Sequence, residues 1–404
     1  MPMDETQRIS SKLSKFVPSL TLSLKAIAGE RRAAGKPVFD FGLGETRGEL
    51  RPVIREAGSQ AYREGRTMYA DPAGLPELRD AVIDWLGLSA AYGPEHVTIT
   101  TGAKQALFNI FLAVCNPADC VLLDAAPWVS YQPLAVSAYA FPVAVLPLVG
   151  HGDYLKVSPR DLERNLEARP HARLFLLNNP VNPTAQLYSA DEVAALLEVC
   201  CRFGVYMVLD RLYWRIVFDG ADYPEPPIDD RTRRWLIQVD GMSKNFRSTG
   251  GMRIGWTVAD EDVTRAMVNL QSHYTSGPAV PDQLAALAAI SEPYDREMVV
   301  DLERKRDLLL ASAAGMPHVE IWPTPAAFYS FWNVEGCLGR RTPQGETIAT
   351  ADDVSRYLLD EAGVVTASGR AFLQEGFLRL SFTTSDEDIT RGMAAAAEAL
   401  GRLG

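Results

Sequence analysis

Between about residue 70 and residue 290 the chain alternates short apolar runs with helical periods, and few folds accept that rhythm. Val97–Thr100 is followed by a glycine and an expected helix, Ala103–Val114. Val121–Leu123, Val143–Leu148 and Leu174–Leu177 come next. The helix Ala190–Phe203 then leads into Val205–Leu209, and Leu236–Val239 runs into a polar turn. These runs are apolar at nearly every position, as strands covered on both faces must be. Strands separated by helices of this length specify an α/β fold: a mostly parallel sheet flanked by helices on both faces.

After about residue 290 the rhythm changes. A long charged helix over Glu292–Ala314, interrupted near Pro293, precedes alternating segments at Val319–Trp322, Phe328–Trp332 and Leu378–Phe382. That is the pattern of a smaller α+β domain. Residues 1–48 read as an amphipathic arm with Leu20, Leu22, Leu24 and Ile27, ending in a basic stretch at Gly35-Lys36-Pro37. The expected division is a large domain over 49–290 and a small domain built from 1–48 and 291–404.

The composition narrows the function. With 404 residues, 47% of them apolar and 23% charged, the chain has a large core and is too long for one ordinary domain. No run approaches the roughly 18–20 apolar residues of a membrane span. Met1–Phe16, with Asp4, Glu5, Lys12 and Lys15, lacks the apolar centre of a secretory signal. A net charge of −11 disfavours nucleic acid as a partner but permits a small basic pocket. Cys115, Cys120, Cys200, Cys201 and Cys337 form no CxxC, and the five histidines are scattered. Reduced thiols, a cytoplasmic location and no dedicated metal site are the expectations.

In open parallel sheets ligands sit beyond the carboxyl ends of the strands. The polar residues just after the expected strands are Thr101-Gly102-Ala103-Lys104, Pro127-Trp128, Asn178-Asn179-Pro180-Val181-Asn182-Pro183-Thr184, Asp210 with Tyr213, and Ser243-Lys244. No GxGxxG follows a strand and no GxxxxGK[ST] occurs, so neither a dinucleotide nor a nucleoside triphosphate is indicated. A helix start for an anion, a flat aromatic, a carboxylate and a lysine together suit a small aromatic phosphate that carries an aldehyde. Pyridoxal phosphate meets that description.

The residues also carry a family resemblance. Asn179-Pro180-Val181-Asn182-Pro183-Thr184, Asp210-x-x-Tyr213, Ser243-Lys244, Gly251-Met252-Arg253-Ile254-Gly255 and Arg379-Leu380-Ser381-Phe382 resemble the fold-type I pyridoxal-phosphate aminotransferases of class I/II. Tyr69-Ala70-Asp71-Pro72-Ala73-Gly74, Gly102-Ala103-Lys104-Gln105-Ala106-Leu107-Phe108-Asn109 and Trp128-Val129-Ser130-Tyr131 are similar to the bacterial aspartate aminotransferase subgroup. The likeness runs from about residue 18 to the C-terminus, in the family's order and at near-family spacing. It implies the family's α/β fold, a large domain with a mostly parallel sheet of the seven-stranded type flanked by helices and a smaller α+β domain.

The resemblance implies a role for each matching position. Lys244 would condense with the aldehyde and carry a proton between the substrate Cα and the cofactor. Asp210 would pair with the ring nitrogen, and Asn182 and Tyr213 would hydrogen-bond the phenolate oxygen. Trp128 would stack on the ring; a tryptophan there otherwise packs into the core. Gly102, Ala103, Lys104, Ser243 and Arg253 would line the phosphate. Tyr69 would reach the phosphate of a neighbouring subunit, which implies a homodimer with shared active sites. Arg379 would grip the substrate α-carboxylate, with Gly44 and Asn182 beside it. Two readings stand for Lys104: a contact to the distal carboxylate of an acidic substrate, or a general contribution to the phosphate pocket.

Three departures from the family pattern stand out. Lys244 and Arg253 are nine positions apart where the subgroup usually has eight. Ala185 and Arg211 stand where Gly and Glu are common. Leu43-Gly44-Glu45-Thr46 lacks the usual Pro-Asp-Phe. The reaction expected is transfer of an amino group between an L-amino acid, glutamate or aspartate, and a 2-oxo acid by a ping-pong scheme. A second reading keeps the fold and changes the chemistry to elimination, replacement or oxidation of an amino acid in specialised metabolism. A non-catalytic sensor domain of a transcription regulator is disfavoured by the short segment ahead of the homologous region and by the acidic surface.

Overall fold

The computed structural model describes residues 20–148, 153–294 and 296–404. Met1–Phe16, read above as lacking a leader, lies outside the described residues, as do the side chains of Leu20 and Leu22. The arm's described part is the helix Leu20–Ala33, which buries Leu24 and Ala28.

Seven strands form the main sheet: β1 (Val97–Thr100), β2 (Cys120–Leu123), β3 (Phe141–Ala144), β4 (Ala172–Asn178), β5 (Tyr206–Asp210), β6 (Leu236–Gly241) and β7 (Gly255–Val258). Their order is β1-β7-β6-β5-β4-β2-β3, parallel throughout except for β7, which is antiparallel to both neighbours. Side-chain alternation sorts the apolar residues to two covered faces. Leu122, Phe175, Leu177, Met207 and Leu209 pack on one side, and Val121, Leu123, Leu174, Leu176, Val208 and Val239 on the other.

Helix ends follow local chemistry. The helix Ala190–Phe203 begins where the Ser189 hydroxyl accepts the Glu192 N–H and the Glu192 carboxylate accepts the Ser189 N–H, and it stops at Gly204 in the left-handed region. Its bounds and those of the helix Ala103–Val114 are the ones expected from sequence.

Other expectations need correction. The run Val143–Leu148 is a strand only over Phe141–Ala144; Pro147 has no N–H to continue a ladder, and Leu146 and Leu148 are exposed at the sheet's edge. The helix read as Glu292–Ala314 begins later, as Glu297–Ser312, after a separate helix Val280–Ser291; Pro293 lies between them. Val319–Trp322 shrinks to the two-residue strand β8 (Glu320–Ile321), which Pro323 follows.

With β9 (Tyr329–Asn333), β10 (Ala367–Ser368) and β11 (Phe377–Ser381), β8 forms an antiparallel sheet of order β10-β11-β9-β8. Helices Glu297–Ser312, Ala351–Ala362 and Asp386–Gly401 pack over it, burying Trp332, Leu358, Leu378, Leu380, Met393 and Leu400. No helix among the described residues is long and apolar enough to cross a membrane.

Candidate active site

Because β7 runs against its neighbours, its starting end lies beside the carboxyl ends of β1, β2, β4, β5 and β6. One cavity of about 520 Å³ opens there. It is lined by Ala103 and Lys104 after β1, Trp128 and Tyr131 after β2, and Asn178 and Asn182 from β4 and its loop. Asp210, Leu212 and Tyr213 come from β5, Ser243 and Lys244 from the turn after β6, and Arg253 from just before β7. Gly44 of the N-terminal segment, Tyr329 of β9 and Arg379 of β11 close it.

Lys244 stands on a one-turn helix, Met242–Asn245, and its Nζ donates to the Gly44 carbonyl. Burial draws its ammonium down from an ordinary 10.5 to about 8; Glu45 opposes this, while Arg379, Arg253 and Lys104 add to it. At pH 7 a fall of that size leaves about 300-fold more of the lysine as neutral amine.

Asp210 is buried and accepts from Tyr131 Oη at 2.8 Å and from the Leu212 N–H at 3.1 Å. Burial pushes its carboxyl up to about 6, and those two donors hold it from going higher. The Asn182 side-chain amide donates to Tyr213 Oη at 3.1 Å, and Tyr213 shares a second hydrogen bond, 3.0 Å, with Tyr329 Oη. Arg379 donates to Asn182 Oδ1 at 3.1 Å and to the Gly42 carbonyl at 2.9 Å. Its guanidinium lies 4.6 Å from the Tyr329 ring centre, and its buried Nε has no partner. Gly44 has to be glycine: a Cβ there would fall 2.2 Å from Tyr329 Oη.

The helix Ala103–Val114 starts into the cavity with no side-chain cap. Its N-cap, Gly102, has φ 75° and ψ 164°, and a Cβ would lie 2.4 Å from Arg253 Nη2. The guanidinium therefore packs against bare backbone beside free N–H groups, which is a cradle for an anion. Lys104 Nζ lies 5.1 Å from the Trp128 ring centre, and burial together with Arg253 lowers its pKa.

Pyridoxal phosphate fits this donor set. Lys104, Lys244, Arg253 and Arg379 have no carboxylate partner among the described ion pairs, and Asp210 has no cation. A group acidic at one end and protonated at the other satisfies both ends at once.

Every site residue expected from sequence lines or abuts the cavity except Tyr69. Gly102 abuts it through Arg253. Tyr69 is 95% exposed on a separate surface with Met68 and the segment 275–280. Between Lys244 and Arg253 the chain makes a 3₁₀ turn, Gly250–Met252, after which Arg253 takes φ 59° and reaches the cavity. Arg211, unusual after the aspartate, is wholly buried and pairs with Glu225 and Gln238.

Sequence reasoning gave no role to Tyr131, Asn178 and Tyr329. Asn178 ties the site together: its amide donates to the Asp210 carbonyl at 2.8 Å and its oxygen accepts the Asn182 N–H at 2.7 Å. Its place at a strand's carboxyl end was the available signal. Tyr329 offered none, because its contact to Tyr213 spans 116 residues.

A profile of the family described as aminotransferase class I and II matches residues 36–395. Aspartate aminotransferase of Rhizobium meliloti strain 1021 is 33% identical over 402 residues, 98% of this chain and 96% of its own. Aspartate/prephenate aminotransferase of Cereibacter sphaeroides is 34% identical over 401 residues, 96% and 97%. Among solved structures, the aspartate aminotransferase from Rhizobium meliloti superposes with a TM-score of 0.92 at 31% identity, covering 98% of this chain and all of that one. Thermus thermophilus aspartate aminotransferase with maleate gives 0.88 at 28%, covering 97% and 99%.

Proposed function

The chain belongs to the class I and II aminotransferases, pyridoxal-phosphate enzymes that move an amino group between an amino acid and a 2-oxo acid, and we propose that its donor is glutamate or aspartate. The observation that carries this is the cavity's charge. Beyond the cations that a phosphate and one α-carboxylate occupy, Lys104 is left over for a second carboxylate. The names of the curated relatives, aspartate and aspartate/prephenate aminotransferases, support the same class of donor. They give no support to elimination, replacement or oxidation.

Bound in this cavity, pyridoxal phosphate supplies an aldehyde that captures an amine and a protonated ring that accepts the electron pair left when Cα loses its proton. The chain's residues do the rest. Lys244 would be the amine that holds the aldehyde and the base that takes the proton from Cα; its depressed pKa suits it to both tasks. Asp210 keeps the ring nitrogen protonated, and Asn182 and Tyr213 bind the phenolate oxygen. Trp128 stacks on the ring. Gly102, Ala103, Ser243 and Arg253 would hold the phosphate. Arg379 would hold the α-carboxylate, flanked by Gly44 and Asn182.

Tyr69, exposed in one chain, completes the site of a second copy, so the working unit is a homodimer. We take 49–290 as the cofactor-binding domain, 1–48 with 291–404 as the small domain, and the cytoplasm as its place. The test is a set of half-reactions: cofactor-loaded protein mixed with single amino acids and no 2-oxo acid, followed by loss of the visible band. Glutamate and aspartate are expected to bleach it. If both fail while a basic or aromatic amino acid succeeds, the assignment of Lys104 to a distal carboxylate is wrong.

A further inference from the structure

The neighbours in sequence of two site residues meet on one buried carboxylate. Asp240, in β6 and 1% exposed, accepts from Trp214 Nε1 at 2.9 Å through one oxygen and from Asn245 Nδ2 at 2.9 Å through the other. Trp214 directly follows Tyr213, and Asn245 directly follows Lys244. The Asn245 amide is pinned again by the Gly241 carbonyl at 2.8 Å. Two guanidinium groups lie against the Trp214 ring, Arg211 at 4.5 Å and Arg215 at 3.9 Å from its centre. Arg211 in turn directly follows Asp210, and Gln238 accepts from it at 2.7 Å. Asp240, Trp214 and Asn245 do not line the cavity, so none of them touches what binds there.

Lys244 needs such an anchor. Its helix is a single turn without a side-chain cap, too short to hold a direction by its own hydrogen bonds. Tyr213 sits in the irregular stretch after β5, on a different crossover. A rigid link between the two has to come from outside both segments.

We infer that Asp240 is a positioning residue: by bridging the flanks of Tyr213 and Lys244 it sets the distance between the amine and the phenol that face the cofactor. This rests on the reading of Lys244 as the amine that holds the aldehyde. Burial pushes the Asp240 carboxyl up to about 7, against the pull of Arg211 and its two N–H donors. Those partners favour the ionised, double-acceptor form that the bridge needs, and that form is complete only above that pH.

Asp240→Asn keeps the shape but has one acceptor oxygen and turns an N–H toward the other donor, so at most one arm survives. Asn245→Ala and Trp214→Phe each remove one arm alone. Apo-protein is titrated with pyridoxal phosphate and, separately, with pyridoxamine phosphate, which has no aldehyde for Lys244. The readout is the ratio of the two dissociation constants; partial unfolding lowers the number of sites and leaves this ratio unchanged. The preference for pyridoxal phosphate is expected to fall about tenfold in Asp240→Asn and by a smaller factor in each single-arm variant. Asn245→Ala combined with Trp214→Phe, which removes both arms, should be at least as severe as Asp240→Asn. A ratio within twofold of the parent in Asp240→Asn overturns the inference. Should that variant not fold, parental ratios in both single-arm variants do the same. A parent protein with no preference for pyridoxal phosphate overturns the reading of Lys244 itself.

Discussion

Replacing Gly102 by alanine tests the anion cradle through two separable costs. The backbone at φ 75° and ψ 164° is one that side-chain-bearing residues avoid, at a cost of about 1–3 kcal/mol in folding stability. The new methyl would also stand 2.4 Å from Arg253 Nη2 and 2.9 Å from its Cζ, so the guanidinium must leave. Losing one charge-assisted hydrogen bond to a phosphate costs about 1.5–3 kcal/mol, or about 10- to 150-fold in affinity for pyridoxal phosphate. The assay is equilibrium titration of apo-protein with the cofactor, beside thermal melts of the same samples. Repeating the substitution in an Arg253→Ala background separates the costs. With no guanidinium to displace, Gly102→Ala should weaken binding less than about twofold further, while the melting temperature still drops. The reasoning fails if Gly102→Ala binds the cofactor as the parent does, or if its full affinity loss persists without Arg253.

Three further outcomes follow from the site. Asp210 has a carboxyl raised to about 6, so its ionised form, and the cofactor affinity that depends on it, should be present above that pH and lost as pH falls through it. Affinity measured across that range in the parent and in Asp210→Asn, where only the phosphate's own titration remains, checks this; identical profiles contradict it. Tyr131→Phe removes a donor to the ionised form and should move the midpoint upward. Arg379→Lys should cut kcat/KM for the amino donor about 30- to 1000-fold, because an ammonium cannot make the paired contact, and leave cofactor affinity unchanged; an equal fall in both would place Arg379 elsewhere.

Much of the site was readable because its groups sit at strand ends, where parallel-sheet topology must bring them together. Asp210 and Asn178 pair across β4 and β5, so the carboxylate and the amide share an edge by register alone. The helix Ala103–Val114 declared itself through a glycine before an apolar period. The parts that stayed hidden depend on packing between distant segments. Tyr329 reaches Tyr213 only because β9 packs against the segment after β5, and nothing local in Phe328-Tyr329-Ser330 marks that contact. Tyr131 was visible as part of an aromatic motif, yet its bond to Asp210 spans 79 residues. Helices Pro52–Arg63 and Pro76–Leu86 passed unnoticed although each begins with a proline in its first turn, a start signal that was there to be used. The edge strand β3 was misplaced because an exposed strand with a single neighbour carries no two-sided apolar run.

The central claim is that Lys244 holds the cofactor by a covalent bond to its aldehyde. Borohydride treatment of the loaded protein, proteolysis and mass spectrometry test it directly. One reduced cofactor is expected on the peptide that carries Lys244 and none on the peptide of Lys104, with no label in Lys244→Ala. A label on another lysine, or a parent protein that stays colourless and unlabelled with excess pyridoxal phosphate, would contradict it.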